Sequence, residues 1–432
     1  RELSEITISA PHDTLTAYFG EEFVVSHLSV EQSGEELPLA YEWSYGTLNT
    51  DEDGMASYPI KDSLHIVSHD PELKYAFREL GTFGLRLRVD NGETIRYKYF
   101  VLQVDTEFSE GITILSRDGD GKGRISFMRT LTKEEINTGK VPVFRTDITE
   151  LINPGTKMED VTDMVQVNNR LLVCSGDAGR IYNMDSRTFD IEGMTSFKEL
   201  YPGCAFVKFA GVSANNNIYL VSRDRRGYVY DYVLDELMLT EYFKDLDVDA
   251  AVSVDRPVFV NYETSVFYSP SLGGVTSSLN RYVDFNIWGI CAVGSSVYVM
   301  ATYKVMPSYI YLSQTTFSLG NPTILQFYDS LVSLKVNRNS LFAGSKSYSC
   351  LYYTCEDGIY YWDLKKQLST TPVISIPVGM EITSLSMNPD GTLLYVGLHE
   401  KEGTEALKGH LYVYDVKTST LISQYHNIAD KP

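Results

Sequence analysis

Histidine is the first residue type to locate, because most hydrolytic triads and many metal centres need it. The chain holds seven: His12, His27, His65, His69, His399, His410 and His426. None lies between positions 70 and 398. A Ser-His-Asp triad or a histidine-ligated metal would have to be built from the two ends of the sequence, which disfavours most hydrolase, oxygenase and copper or iron chemistry. His399 and His410 are spaced to face each other across one loop, and the expectation is a surface pair.

Carboxylate chemistry needs no histidine, since a glycosidase works with two suitably spaced acids. With 57 Asp and Glu, no local pattern singles out a pair. Calcium on oxygen ligands is also compatible with the composition. Two stretches invite it: Arg117-Asp-Gly-Asp-Gly-Lys-Gly123, with Asp118 and Asp120 as metal candidates, and the acidic turn Asn49-Thr-Asp-Glu-Asp-Gly54. Lys122 stands where a calcium loop would want another acid, so a glycine-rich hairpin turn is the expected use of the first stretch. It is no phosphate loop either, lacking the Gly-x-x-x-x-Gly-Lys-Ser/Thr spacing. Five cysteines (Cys174, Cys204, Cys291, Cys350 and Cys355) show no metal spacing and read as small buried hydrophobes, with a Cys350–Cys355 bridge as the alternative. No cofactor is expected, calcium being the exception the residues allow.

A net charge of −20 supplies no basic stripe for phosphate backbones, so nucleic acid is set aside, and anionic membrane surfaces with it. Acidity is densest at the front: residues 1–105 carry 19 acidic and 8 basic side chains, a net of −11. Tyrosine is abundant, at 31 copies against three tryptophans, which suits strands and binding surfaces alike. No run of 18 apolar residues is present, so no helix is expected to span a membrane. The chain begins at Arg1 rather than methionine, so the lack of a leader does not argue for the cytoplasm.

The elements that would position these residues are strands. Over residues 1–106, Leu39, Tyr41, Trp43 and Tyr45 alternate onto one face, and so do Phe83, Leu85, Leu87 and Val89. Asn91-Gly92 predicts a two-residue hairpin turn leading into Thr94–Val104. About 100 residues of alternating strands around one buried tryptophan suit a small β-sandwich. Tyr41-Glu-Trp43, Trp43-Ser-Tyr-Gly46, Tyr75 and Gly81-Thr-Phe83 ahead of Leu85–Val89 resemble the PKD-type immunoglobulin-like module. That resemblance implies an extracellular spacer or interaction module.

From 107 to 432 one strand motif recurs. A glycine opens it and an aspartate often closes it: Gly179–Asp185, Gly227–Asp231, Gly358–Asp363 and Gly409–Asp415, with a weaker copy at Gly123–Met128. Copies at Thr264–Tyr268 and Ser308–Leu312 have lost the glycine. Gly179 to Gly409 is 230 residues in five steps, 46 per step, against ~40–50 for propeller blades. Companion strands precede the anchors at Arg170–Cys174, Asn217–Val221, Pro257–Asn261, Ser296–Met300, Ser340–Gly344 and Leu393–Gly397. Seven anchors predict a seven-bladed β-propeller, all-β like the module before it. Its last blade, with Asn388-Pro-Asp-Gly391 and Leu411-Tyr-Val-Tyr-Asp415, resembles WD40 and YVTN repeat units. That blade is expected to close the ring against the strand near Ile112–Leu115.

In such a ring, ligands sit where the innermost strands begin, which singles out Trp288, Asp163, Lys208, Asp329 and Glu381 as binding candidates. Trp288 is the first to test, because an indole near polar groups stacks on a sugar face. A PKD-like module ahead of a propeller resembles the PKD-like family lipoproteins of Bacteroidetes. The resemblance implies a cell-envelope, outer-membrane lipoprotein, at the surface or in the periplasm, tied to glycan uptake. Its membrane contact would be a lipid anchor whose cysteine this sequence does not contain. The expectation is a non-catalytic protein that binds a glycan or an envelope protein partner. The alternatives are a carboxylate- or calcium-dependent propeller enzyme, glycan-cleaving or lactonase-like, and a protein-assembly scaffold.

Overall fold

The computed structural model describes residues 3–25, 27–50, 56–59, 63–212, 217–238, 246–271, 274–328, 335–365 and 368–432. It forms two compact units, Arg1–Glu110 and Gly111–Pro432, both built almost wholly of strands.

The first unit is an immunoglobulin-like β-sandwich. One layer holds β2 (Thr14–Tyr18), β10 (Ile95–Asp105), β9 (Gly81–Asp90), β5 (Ala40–Thr50) and β6 (Ala56–Pro59) in that order, with β7 (His65–Ser68) also paired to β5. The pairs β1 (Ile6–Ser9) with β4 (Ser29–Gln32), and β3 (Glu22–Val24) with β8 (Lys74–Ala76), complete it. The alternating faces named above meet in one core with Phe77 and Phe100. Trp43 is fully buried, its ring 6.2 Å from that of Phe100, and its Nε1–H donates to the Asp70 carbonyl at 3.1 Å. The β9–β10 connection is a four-residue loop rather than the two-residue turn expected. Asn91 is buried, and its Oδ1 accepts from the main-chain N–H groups of both Glu93 and Thr94, which widens the loop.

The second unit is a ring of seven sheets. Blade two is β14 (Val161–Val167), β15 (Arg170–Ser175), β16 (Arg180–Asp185) and β17 (Ile191–Ser196). Blade three is β18 (Phe206–Val212), β19 (Asn217–Ser222), β20 (Gly227–Asp231) and β21 (Glu236–Met238). Blade four is β22 (Ala250–Ser253), β23 (Pro257–Asn261), β24 (Val266–Ser271) and β25 (Gly274–Ser277). Blade five is β26 (Phe285–Val293), β27 (Ser296–Tyr303), β28 (Ile310–Thr315) and β29 (Thr323–Tyr328). Blade six is β30 (Phe342–Ser345), β31 (Cys350–Cys355) and β32 (Gly358–Trp362), with Leu368 and Ile374 bridged to the outer edge of β32. Blade seven is β33 (Met380–Met387), β34 (Leu393–Glu400), β35 (Gly409–Asp415) and β36 (Thr420–Ala429). Every pairing within these sheets is antiparallel.

Blade one is β11 (Gly111–Arg117), β12 (Gly123–Arg129) and β13 (Phe144–Arg145), with α1 (Lys133–Asn137) and α2 (Ile148–Ile152) inserted around β13. Gly123 bridges Met158 just before β14, as the third strand of a blade meets the end of its fourth. Among the described residues, Lys431 takes the position inside β11. Lys431 pairs antiparallel with Arg117, so the C-terminal residues begin the innermost strand of the first blade. Ring closure therefore involves β11, as expected, and Ile112 and Ile114 pack against Leu411, Val413 and Ile428 of blade seven.

The recurring anchor is the third strand of each blade. Its glycine has a steric reason: a Cβ on Gly409 would collide with the Asp430 carbonyl oxygen, and one on Gly358 with that of Ile374. Both oxygens belong to chain returning from the blade's outer edge. The companions are second strands, with one correction. Ser340–Gly344 overlaps the innermost strand of blade six, and β31 is the true companion of the Gly358 strand. Cys350 and Cys355 thus stand at opposite ends of one strand, about 17 Å apart at the strand rise, and cannot bridge. All five cysteines are free, and four are buried.

Cores lie between blades, as flat sheets stacked around an axis require. Cys174 and Ile181 of blade two meet Phe206 and Tyr228 of blade three. Met300 and Leu312 of blade five meet Tyr353 and Trp362 of blade six. Each such fully buried large side chain contributes roughly 1.5–3 kcal/mol of transfer free energy.

Candidate functional site

Innermost strands run side by side around the axis, and four of them depart from regular pairing near their first turn of pleat. The register shifts between Val161 and Asp163, Phe206 and Lys208, Ile287 and Gly289, and Ile382 and Ser384. Thr162, Val207, Trp288 and Thr383 are therefore the extra residues of equivalent β-bulges, a device that re-aims a side chain. This separates the sequence candidates into two sets. Asp163 and Lys208 stand just after their bulges, whereas Trp288 is itself the bulge residue of β26.

Trp288 is half-buried, and its Nε1–H donates to Thr302 Oγ1 at 2.8 Å. Over its ring lies the guanidinium of Arg338, 5.4 Å from the centroid. The same guanidinium lies 4.6 Å from the ring of Tyr262, at the end of β23. Arg338 is exposed, in the Asn337-Arg-Asn339 turn before β30, and has no carboxylate partner among the described residues. Tyr262 is fixed from behind: its main-chain N–H donates to Asp249 Oδ2 at 2.7 Å, and Asp249 Oδ1 accepts from Arg225 Nε at 2.8 Å. Burial pushes the Tyr262 hydroxyl up to about 12, so it stays a neutral phenol. Side chains of blades four, five and six thus build one aromatic and cationic surface where innermost strands begin.

The other candidates serve different ends. Asp163 Oδ2 accepts the main-chain N–H of Phe209 at 2.9 Å, stitching blade two to blade three. Burial pushes its carboxyl above the usual range, against the pull of Lys208. Lys208 is exposed, and its charge also reaches the buried Cys291 of blade five, whose thiol burial raises to about 12. Glu381 is held by Lys431 Nζ at 2.7 Å and His399 Nδ1 at 3.2 Å, the lysine doing most to hold its carboxyl below the usual range. Asp163 and Glu381 lie on blades two and seven and share no partner. Asp329, and positions 51–55 of the acidic front turn, lie outside the described residues.

In the β11–β12 hairpin, Asp118 Oδ1 accepts the N–H groups of Asp120 and Lys122, each at 2.9 Å, which is an Asx turn. Among the described residues no group of three or more His, Cys, Asp or Glu is placed to hold a metal. The hairpin does wall a cavity of about 420 Å³, with Arg124, Asp147, Glu150 and Lys157 among its lining residues. His399 and His410 do not form a surface pair. His410 is buried, and its ring neighbour is His426, 5.0 Å away.

Sequence reading missed Arg338 and Tyr262. Both were visible only as a polar turn and a strand-end tyrosine, and nothing local announces that they share a surface with Trp288.

No protein-family model and no curated protein sequence matches the chain. Solved structures with similar folds include a quinonprotein alcohol dehydrogenase-like protein from Bacteroides thetaiotaomicron, at 13% identity and TM-score 0.48, covering 96% of this chain and 94% of that one. The computationally designed Ika8 protein matches at 14% identity and TM-score 0.42, covering 73% and 85%. KlHsv2 with loop 6CD replaced by a Gly-Ser linker matches at 8% identity and TM-score 0.44, covering 73% and 99%. The assignment of the propeller rests on the strand order and register above.

Proposed function

We propose that this is a non-catalytic binding protein of the cell envelope, one of the PKD-like lipoproteins its modules resemble, and that the propeller binds a glycan. The observation that carries the reading is the surface made by Trp288, Arg338 and Tyr262. The uncovered parts of these two half-buried rings can stack on the apolar face of a sugar ring, and an arginine with no carboxylate partner among the described residues offers its N–H edges to hydroxyl oxygens. The main chain of Tyr262 is fixed by Asp249, and Trp288 by Thr302, so little order has to be gained on binding.

The acidic candidates support binding over turnover. Asp163 holds the next blade and Glu381 is ion-paired, so neither is poised as a general acid opposite the other. A glycan array on the intact protein tests the reading. Binding to at least one oligosaccharide, weakened at least tenfold by Trp288→Ala and by Arg338→Ala, is expected. Unchanged binding in both variants, or cleavage of the bound glycan, overturns it.

A further inference from the structure

The arginine over Trp288 differs from its neighbours in what it bonds. In the β19–β20 turn, Arg223 is paired with Asp177 at 2.9 Å and Arg225 with Asp249 at 2.8 Å. Asp247 and Glu263 also lie 3.4 Å from Arg225, so these acids gather on one side chain. The Arg338 guanidinium lies instead against the rings of Tyr262 and Trp288. Among the described residues it donates no hydrogen bond and meets no carboxylate. Ring faces attract a cation but leave its N–H donors unused. Arg338 therefore holds a planar set of free donors beside the indole.

A second cation without an ion pair serves the same region. Lys208 forms none among the described residues, and its charge is felt at Asp163 of blade two and at Cys291 of blade five. Cys291 belongs to the apolar cluster that Trp288 packs against. Asp163 is held by the Phe209 N–H rather than by the lysine. Asp247 and Glu263 oppose an incoming anion, but their side chains are 60% and 78% exposed. Solvated charges of that kind are screened beyond a Debye length of about 10 Å at 0.1 M salt.

We infer that the sugar taken at this surface carries a carboxylate: a uronic acid whose two oxygens accept paired N–H donors of Arg338 while its ring stacks on the part of the indole that Arg338 leaves open. The inference rests on the glycan reading of the surface and names the class of sugar. A hydroxyl accepts one N–H at a time, whereas a carboxylate accepts two in parallel, which selects acidic over neutral sugars. Lys208 adds a longer-range attraction for the same charge.

The test is titration calorimetry on the intact protein with matched probes of one backbone: a galacturonic acid trimer, its methyl ester, and the trimer with its carboxyls reduced to alcohols. Glucuronic and mannuronic acid trimers are run as the same sets. For at least one backbone the acid is expected to bind at least about tenfold more tightly than its ester and its reduced form. Arg338→Ala should bring those forms within about threefold of one another, and Arg338→Lys should keep only part of the preference. Trp288→Ala should weaken acid and reduced forms alike and leave their ratio unchanged, which separates stacking from charge recognition. Lys208→Met should lower the affinity of the acid alone. Equal binding of acid, ester and reduced trimers overturns the uronic acid and leaves the glycan reading standing. A preference that survives Arg338→Ala overturns it too, as does a sulfated form of the reduced trimer binding as tightly as the acid. No binding of any trimer at millimolar concentration also overturns it, and the glycan reading falls as well only if the glycan array is blank.

Discussion

The main chains of Arg117 and Lys431 bond in both directions, each nitrogen 3.0 Å from the other's oxygen. This pair joins the first and last blades, and its neighbours reinforce it. The Asp430 carboxylate pairs with Arg124 at 2.8 Å, and its main-chain N–H donates to Ser116 Oγ at 3.1 Å. Removing Asp430–Pro432 deletes these bonds and frees Glu381 of its lysine. Four hydrogen bonds at about 1 kcal/mol each give an expected loss of roughly 4 kcal/mol. A urea melt measures it: the midpoint should fall with the slope unchanged, and an unchanged midpoint would show the ring closes without this strand.

Asp163 carries a carboxyl raised by burial, so its contribution has a definite sign. A carboxylate with a folded pKa above its unfolded value favours the folded state at low pH and loses that advantage as pH rises through the folded value. Asp163→Asn keeps an oxygen for the Phe209 N–H and removes the charge. The variant is expected to be more stable than the parent at pH 7, with the difference shrinking toward pH 4 and below. Thermal melts across that range check it, and a variant less stable at pH 7 refutes it.

His410 gives the opposite slope. Its Nδ1 accepts the N–H of Asn427 at 3.0 Å, and its ring faces His426, Glu400 and His399. Burial first, then His426, holds it below the ordinary histidine range despite Glu400. A base with a depressed folded pKa stabilises above the unfolded value of ~6.5 and loses that stability as pH falls from there. Stability should begin to decline near pH 6.5, and His410→Gln should flatten that part of the profile.

Much of the ring was legible because its signal is repeated sterics. Anchor glycines mark third strands; at Gly358 and Gly409 the returning chain of the same blade leaves no room for a Cβ, and Gly358→Ala shows the size of that constraint. With φ at +145° and the Ile374 carbonyl in the way, the change is expected to cost at least about 2 kcal/mol. Gly320→Ala, with nothing within 4 Å, is the neutral control in the same urea assay.

Blade six and the site were harder to read for related reasons. The second strand β31 is a cysteine- and tyrosine-rich run with no polar turn of the Asn-x-Asn kind before it, so the earlier Ser340–Gly344 run drew the assignment. Bulges are also silent in sequence. Val207 and Trp288 occupy equivalent bulges without any shared chemistry, and only pairing registers expose the equivalence. The surface around Trp288 depends on Tyr262 and Arg338, 26 residues before it and 50 after, which no local spacing relates.

That surface has a spectroscopic handle. Of the three tryptophans, Trp43 and Trp362 are fully buried, and Trp288 alone is half-buried at the rim of its blade. Acrylamide reaches only accessible indoles, so the quenchable part of the emission should belong to Trp288. Trp288→Phe is expected to remove it while leaving the melting temperature nearly unchanged, because the lost Thr302 hydrogen bond is offset by a ring that still packs under Arg338. Arg338→Ala uncovers one face of the indole and should raise the quenching constant, whereas Arg338→Lys, with charge but no planar fork, should fall between. A glycan bound on the site should lower quenching in the parent and in no Trp288 variant. Quenching that persists unchanged in Trp288→Phe would place the accessible indole elsewhere and remove the basis for the site.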